Sequence, residues 1–409
     1  MPVYVVDLFC GLGGFSVGAE LTEDCRVLAC FDLWKAGLAM HQLNSSARCD
    51  HFLMELGGDV NLFANRLKQY IATKNVPFEQ VHFHASPPCQ TFSILNTRRK
   101  EKTVADRDDA KTNLLYWTLD LFKALNPASW SVEQVPTALK HLRAKDHWVL
   151  SDPDVRVYGQ CLGKTYGVPT LRARLYLCKN TELLPKSKRK RDDLSAFDTR
   201  YGNDATNPFV ALSEELGTTQ IAVRTETETM KIAVHENTKP HDKIRRYQGK
   251  RILYVRCQPE YGNELTSVHE VLNAITCQNV YVYYKTGEST VEHNDAQSYA
   301  FVKKHFDERN VTIGVQKEKF RKNCKTYAGV WTRLRGMNHT ERLFVQGFPT
   351  SFKLDAGSTT LVYFTDLEKT CEHRETVKIN SKDKLIGVGN AVIPLIAKHI
   401  VQHIRKLIQ

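Results

Sequence analysis

Five short apolar runs, at residues 3–8, 26–31, 81–85, 130–133 and 175–178, punctuate the first 178 residues of the chain. Between the third and fourth runs, residues 114–125 carry Leu, Trp, Phe and Ala at helical spacing. Apolar strands alternating with amphipathic helices cannot pair as hairpins and need crossover connections. The pattern therefore implies an α/β fold, a parallel sheet with helices on its faces. Ligands of such sheets bind beyond the carboxyl ends of the strands, so the chemistry is expected there.

The texture changes near residue 179. Up to about residue 329 the chain is more polar and irregular, with Thr- and Tyr-rich strand candidates at 252–256 and 280–284. From 330 the globular signal returns. Asn390-Ala391-Val392-Ile393-Pro394 opens an apolar-periodic helix that continues through Ile400, Val401, Ile404 and Leu407. The expected division is thus 1–178 as a first domain, 179–329 as a second and smaller one, and 330–409 returning to the first. A length of 409 residues accommodates this.

With 42% hydrophobic and 25% charged residues, the chain can bury a core. It has no apolar run long enough to suggest a membrane span. Met1-Pro2 leads straight into the first strand, without a basic n-region or cleavage site, so an intracellular, non-secreted protein is expected. Eleven cysteines, none spaced Cys-x-x-Cys, argue against a disulfide framework and against a metal site. The net charge of +12 favours a polyanionic partner. The run Lys186-Ser187-Lys188-Arg189-Lys190-Arg191 reads as a solvated loop, a phosphate-contacting loop or a nuclear localisation signal.

Candidate chemistry follows the strands. Asp7-Leu8-Phe9-Cys10-Gly11-Leu12-Gly13-Gly14 ends the first strand in clustered glycines, which let backbone approach a ligand. It fits the dinucleotide fingerprint poorly, because Ser16 stands at the third glycine position. Asp32 ends the second strand, where an acid can accept hydrogen bonds from ribose hydroxyls. Asp59 offers a second carboxylate for an adenine amino group. Each acid alone reads as a helix cap or turn residue. Together they describe a nucleoside-bearing cofactor without a pyrophosphate cradle, which suits S-adenosylmethionine. The third strand runs into Ser86-Pro87-Pro88-Cys89-Gln90, a thiol held on a proline-stiffened turn.

Taken in order, Asp7–Gly14, Pro87-Pro88-Cys89-Gln90, Glu133-Gln134-Val135, Arg172-Ala173-Arg174, Gln346-Gly347-Phe348-Pro349 and Gly389-Asn390-Ala391-Val392 resemble the DNA (cytosine-5)-methyltransferase family in its stand-alone, restriction-modification or viral form. The resemblance covers 1–178 and roughly 330–409. It implies a Rossmann-like S-adenosylmethionine-dependent methyltransferase fold with a target-recognition domain at 179–329. It further implies that Cys89 adds to C6 of a flipped-out cytosine, its thiolate favoured by nearby positive charge. Glu133 would hold N3 and the N4 amino group, Arg174 the O2 side, and Arg172 would support the pocket. Phe9, Gly11, Leu12, Gly14, Asp32, Leu33, Asp59, Pro88, Leu114, Asn390 and Ala391 match positions lining S-adenosylmethionine.

The chain departs from the family pattern at Leu33, where some members stack an aromatic on adenine, at Gln134 in place of asparagine, and at Thr170 in place of glutamine. Arg98, Arg99 and Lys100 fall in the loop that closes over DNA phosphates in the family. The expected partner is double-stranded DNA, with no membrane, no metal and a monomeric state. Two other readings keep the fold: an RNA cytosine-5 methyltransferase, and an inactive DNA-binding relative. The tRNA-methylating relatives carry Cys-Phe-Thr in the recognition region, which this chain lacks, and a decayed enzyme would be expected to lose Cys89 or Glu133.

Overall fold

The computed structural model describes residues 1–46, 48–89, 92, 110–166, 168, 170 and 172–183, the strands between 235 and 336, and residues 339, 342–343, 346–349, 351–354 and 357–408. The chain divides into two compact units. One comprises Met1–Tyr166, Arg172–Ser187 and Gln346–Gln409, and the other Gly167–Leu171 and Lys188–Val345.

The first unit begins β1 (Val3–Leu8), α1 (Gly14–Glu20), β2 (Cys25–Asp32), α2 (Lys35–Gln42), β3 (Asp50–Leu53), α3 (Val60–Thr73) and β4 (Val81–Ala85). It continues with α4 (Ala110–Leu125), β5 (Ser129–Gln134), α5 (Ala138–Ala144), β6 (Val155–Leu162) and β7 (Ala173–Lys179). These strands form one seven-stranded sheet in the order β3-β2-β1-β4-β5-β7-β6. The mixed α/β class expected from the alternation is what the structure has. The first five strands are mutually parallel, and β4 and β5 are buried along their whole length, as strands covered on both faces must be.

The wholly parallel sheet expected for the apolar runs needs one correction. The run at 175–178 belongs to β7, which is antiparallel to both β5 and β6. Two strands carried no apolar-run signal. β3 is only four residues long and includes Asp50 and His51, and β6 lies at the sheet edge, where Arg156 and Gln160 interrupt its apolar pattern.

In the second unit the described strands are β8 (His235–Glu236), β9 (Arg245–Arg246), β10 (Leu253–Arg256), β11 (Thr266–Ser267), β12 (Tyr281–Thr286), β13 (Thr312–Val315) and β14 (Val330–Gly336). Five of them form an antiparallel sheet in the order β11-β10-β12-β14-β13, and β8 pairs with β9. Val330–Gly336 therefore pairs within this unit's sheet, and the unit runs on to Val345.

Back in the first unit, β15 (Ser358–Tyr363) and β16 (His373–Lys378) form a hairpin. The chain extends the β3 edge at Phe364, whose N–H donates to the His51 carbonyl (2.9 Å) and whose carbonyl accepts from Leu53 N–H (2.9 Å). Two helices finish the unit, α6 (Ser381–Asn390) and α7 (Pro394–Ile408), bent by 45°. The helix expected to open at Asn390 therefore begins four residues later, at Pro394, and α6, which ends at Asn390, was not expected. Pro394 has no N–H to continue α6 and disfavours helical backbone before it, but it suits the first position of α7. A capping box between Asn380 and Asp383 starts α6.

α7 packs closely on α1 because small residues line the contact. A side chain on Gly18 would begin 2.0 Å from the Pro394 carbonyl oxygen, and one on Gly14 would begin 2.3 Å from that of Val392. On the core side, Phe31, Phe52, Phe63, Phe83, Phe122 and Trp130 pack in stacked, tilted and edge-on pairs. No single helix among the described residues is long and apolar enough to cross a membrane.

Candidate active site

β1 lies between β2 and β4, where the strand order reverses, and the loops leaving the carboxyl ends of β1, β2, β4 and β5 carry the candidate residues. β4 delivers Ser86-Pro87-Pro88-Cys89. A polar ladder under the sheet fixes the start of that turn. His82 reaches Ser129 Oγ (3.0 Å) and Ser131 Oγ (2.9 Å). His84 reaches Ser131 Oγ (2.8 Å) and Ser86 Oγ (2.9 Å), and Phe15 stacks on its ring at 3.6 Å. Burial pushes both imidazoles below the ordinary range, so they are neutral and all four ring nitrogens have partners.

Gln134 holds the turn from the neighbouring strand. Its Nε2 donates to the carbonyls of Pro87 (2.8 Å) and Pro88 (3.4 Å), while Oε1 accepts from Val135 N–H (2.8 Å). Gln134, where the family pattern has asparagine, thus supports the turn itself. Beyond Cys89 the backbone closes back, Phe92 N–H donating to the Cys89 carbonyl (3.0 Å). The fully buried Phe92 ring meets His141 edge-on, and Thr137 Oγ1 donates to the Phe92 carbonyl.

Glu133, near the carboxyl end of β5, and Arg174, at the start of the reversed β7, meet across the strand pair with Arg174 Nε 2.6 Å from Glu133 Oε1. Antiparallel β7 is what brings an arginine to the edge where the parallel strands end. Both charges act on Cys89. Burial raises its thiol above the ordinary 9.0, Arg174 lowers it, Glu133 raises it and Arg172 lowers it. The expected positive charge is thus present, but burial outweighs it and Cys89 is a thiol at neutral pH in the free protein. Arg172 is buried and grips the C-terminal segment, donating to the carbonyls of Gly389 (2.6 Å) and Ala391 (3.0 Å). Gln346 also holds this segment, donating to the Val388 carbonyl (2.9 Å).

The cofactor positions form a wall across the β1, β2 and β3 ends. Asp32 joins two loops, Oδ2 accepting from Gly11 N–H (2.7 Å) and Oδ1 from Trp34 N–H (2.7 Å). Each oxygen keeps a further lone pair. Burial raises the Asp32 carboxyl, and its backbone donors oppose this. Beneath, Asp7 accepts from Ser16 Oγ (2.6 Å), and burial lifts its carboxyl to about 7. Gly11, at φ +55°, faces open space where a side chain would stand. Phe9 shares the left-handed backbone at φ 58°, uncommon for such a residue.

Asp59 caps α3 through Leu62 N–H (2.8 Å), as the helix-cap reading had it, and leaves its second oxygen without a cap bond. Leu114 lies beside Gly57, and Trp117 Nε1 donates to the Gly58 carbonyl (3.0 Å), so α4 backs this loop. Leu33 stands 64% exposed, an uncovered apolar face beside Asp32 that suits an adenine ring. The carboxylate acceptors of Asp32 and Asp59 and the open face at Gly11 fit S-adenosylmethionine.

Not every expected lining residue faces that wall. Leu12 is buried toward α6, against Gly387, and Gly14 lies beneath the Val392 carbonyl. Asn390 is exposed at the end of α6, Ala391 is buried under the Arg172 contact, and Pro88 is half-buried. Arg98, Arg99 and Lys100, and the run 186–191, lie outside the described residues. The histidine–serine ladder was missed although period-2 spacing signals it. His82 and His84 pair in register with Ser129 and Ser131.

A model of the C-5 cytosine-specific DNA methylase family matches residues 3–365. Similar solved structures include a protein of an E. coli prophage described as a DNA modification methyltransferase (16% identical, 99% of each chain covered, TM-score 0.46). The methyltransferase EhMeth of Entamoeba histolytica is 13% identical, with 100% of this chain and 99% of that one covered and a TM-score of 0.46. The Dnmt2 methyltransferase of S. pombe is 15% identical over 99% of each chain, also with a TM-score of 0.46. No curated protein sequence matches. A family match over this much of the sequence agrees with the edge built by Cys89, Glu133 and Arg174: the chain belongs to the C-5 cytosine-specific DNA methylases, which take a methyl group from S-adenosylmethionine and place it on cytosine C5.

Proposed function

We propose that this protein methylates C5 of cytosine in double-stranded DNA through a covalent adduct between Cys89 and C6 of a base swung out of the helix. The observation that carries this reading is the convergence of Cys89 with the Glu133–Arg174 ion pair at the carboxyl edge of the sheet. Cytosine C5 is a weak nucleophile and needs activation at C6. The Cys89 sulfur donates its electron pair to C6, and the electrons of the C5–C6 double bond make C5 enamine-like. Glu133 holds N3 and the N4 amino group and offsets the charge that develops there. Arg174 holds the O2 side and favours loss of the Cys89 proton at the moment of attack.

When bound, S-adenosylmethionine supplies an electrophilic methyl group on a sulfonium. C5 would take that methyl as the sulfonium carbon–sulfur bond breaks to leave a neutral thioether; a base then takes the C5 proton, and the Cys89–C6 bond breaks to return the thiolate. Asp32 and Asp59 hold the nucleoside part, Leu33 covers the adenine, and Phe9, Gly11, Pro88 and Leu114 shape the wall around it. Leu12, Gly14, Asn390 and Ala391 shape it from behind, and Arg172 positions their segment through Gly389 and Ala391.

Extruding a paired base costs a few kcal/mol, roughly. Phosphate contacts from Arg98, Arg99 and Lys100 offset part of that. The second unit is the lobe that reads the target, and the +12 charge supports a polyanionic substrate.

Purified protein is expected to move tritiated methyl groups from S-adenosylmethionine to duplex DNA in preference to tRNA of equal cytosine content. Cys89→Ser is expected to lose transfer by several orders of magnitude while still binding the cofactor. Preference for tRNA overturns the DNA reading, and turnover by Cys89→Ser overturns the covalent one.

A further inference from the structure

Away from the reacting groups, four soft ligands meet inside the first unit. Cys30 comes from β2, His41 from α2, Cys49 from the turn before β3, and His51 from β3 itself. Cys30 and His51 stand opposite each other in the β2–β3 register, which sends both side chains to the same face. All four residues are buried, and one ligand atom from each lies within 4.8 Å of the others. His41 Nδ1 is 3.0 Å from His51 Nε2 and 3.7 Å from Cys30 Sγ.

A tetrahedral zinc ion with Zn–N of about 2.0 Å and Zn–S of about 2.3 Å spaces its ligands roughly 3.3–3.8 Å apart. The histidine pair needs tenths of an ångström of adjustment and the widest separation, at most 4.8 Å, about one ångström. Charge decides the identity as much as distance. Two thiolates and two neutral imidazoles around a divalent ion sum to zero, so a dry site holds no net charge. Thiolate and imidazole together select zinc over magnesium or calcium.

We propose that Cys30, His41, Cys49 and His51 form a structural zinc site. The four protein ligands close it, leaving no position for a reacting water. The ion would tie α2 and the β3 edge to β2, two residues before Asp32. The His41 ring lies 2.5 Å from where a side chain on Gly13 would begin, so the site also backs the glycine loop after β1. The cysteine spacing hid this, because the ligands come from separate elements instead of one knuckle.

The proposal is tested on the full chain, expressed with zinc and purified without chelator. Elemental analysis should find about one zinc per chain. Exchange into cobalt(II) should give the visible bands of a tetrahedral ion and a thiolate charge-transfer band. Cys49→Ser and His51→Asn should each lose the zinc, and Cys371→Ser, at an exposed cysteine, should keep it. Wild-type protein without zinc and without tetrahedral cobalt bands overturns the site, as does full zinc occupancy in both ligand variants. If the variants do not fold, the wild-type zinc count and cobalt spectrum decide alone.

Discussion

Cys89 sits under opposed influences, and their balance makes its reactivity pH-dependent. Burial raises the thiol above 9.0 and Arg174 works against it. The thiolate fraction should therefore climb about tenfold per pH unit through neutrality and level off only above pH 9.0. Iodoacetamide labelling of the Cys89 peptide, followed by mass spectrometry from pH 6 to 10, roughly, reads this directly. A plateau below pH 8, approximately, would contradict it. The candidate residues could be picked out because their types occur in a fixed order along the chain. Of Cys89, Glu133 and Arg174, the structure brings the last two into contact. What stayed hidden at this scale is partnership. Nothing in Gln134 alone announces that it bonds two proline carbonyls, and Asp32 gives no sign that both its oxygens already bind backbone.

Elements were legible where they are apolar and periodic. β1 and β4 have the bounds expected of them, and β2, β5 and the helix now named α4 differ by a few residues at their ends. β7 was found but not its direction, because an apolar run looks the same read either way. The start of α7 was placed four residues early because Val392 and Ile393 carry its apolar pattern ahead of Pro394. The α1–α7 contact offers a test at this scale. Gly18→Ala places a methyl 2.0 Å from the Pro394 carbonyl and 2.7 Å from Ala397 Cβ. The backbone cannot yield as a flexible side chain can, so a loss of roughly 1–3 kcal/mol is expected. Chemical denaturation should show it, and Ala397→Gly should not rescue it, because the carbonyl remains. Full rescue would mean that the helix pair adjusts more freely than its packing implies.

For the molecule as a whole, the +12 charge is spread over a chain whose substrate, by its family, is nucleic acid. Association should fall steeply with salt. If about six to ten phosphates are contacted, affinity drops by roughly a thousandfold or more between about 50 and 200 mM. Fluorescence anisotropy with a labelled duplex measures this, and a flat salt response would argue against phosphate contacts. A change of texture near residue 179 suggested a second domain, and the second compact unit comprises Gly167–Leu171 and Lys188–Val345. β14 is as apolar and β-prone as a strand of the first unit, and only its partners show where it belongs. The segment that Arg172 grips, with α7 beyond it, covers helix α1 at the opposite end of the chain. On a ribosome adding about 5–20 residues per second, the glycine loop waits on the order of tens of seconds for that cover to emerge. Until then α1 exposes the surface meant for α7.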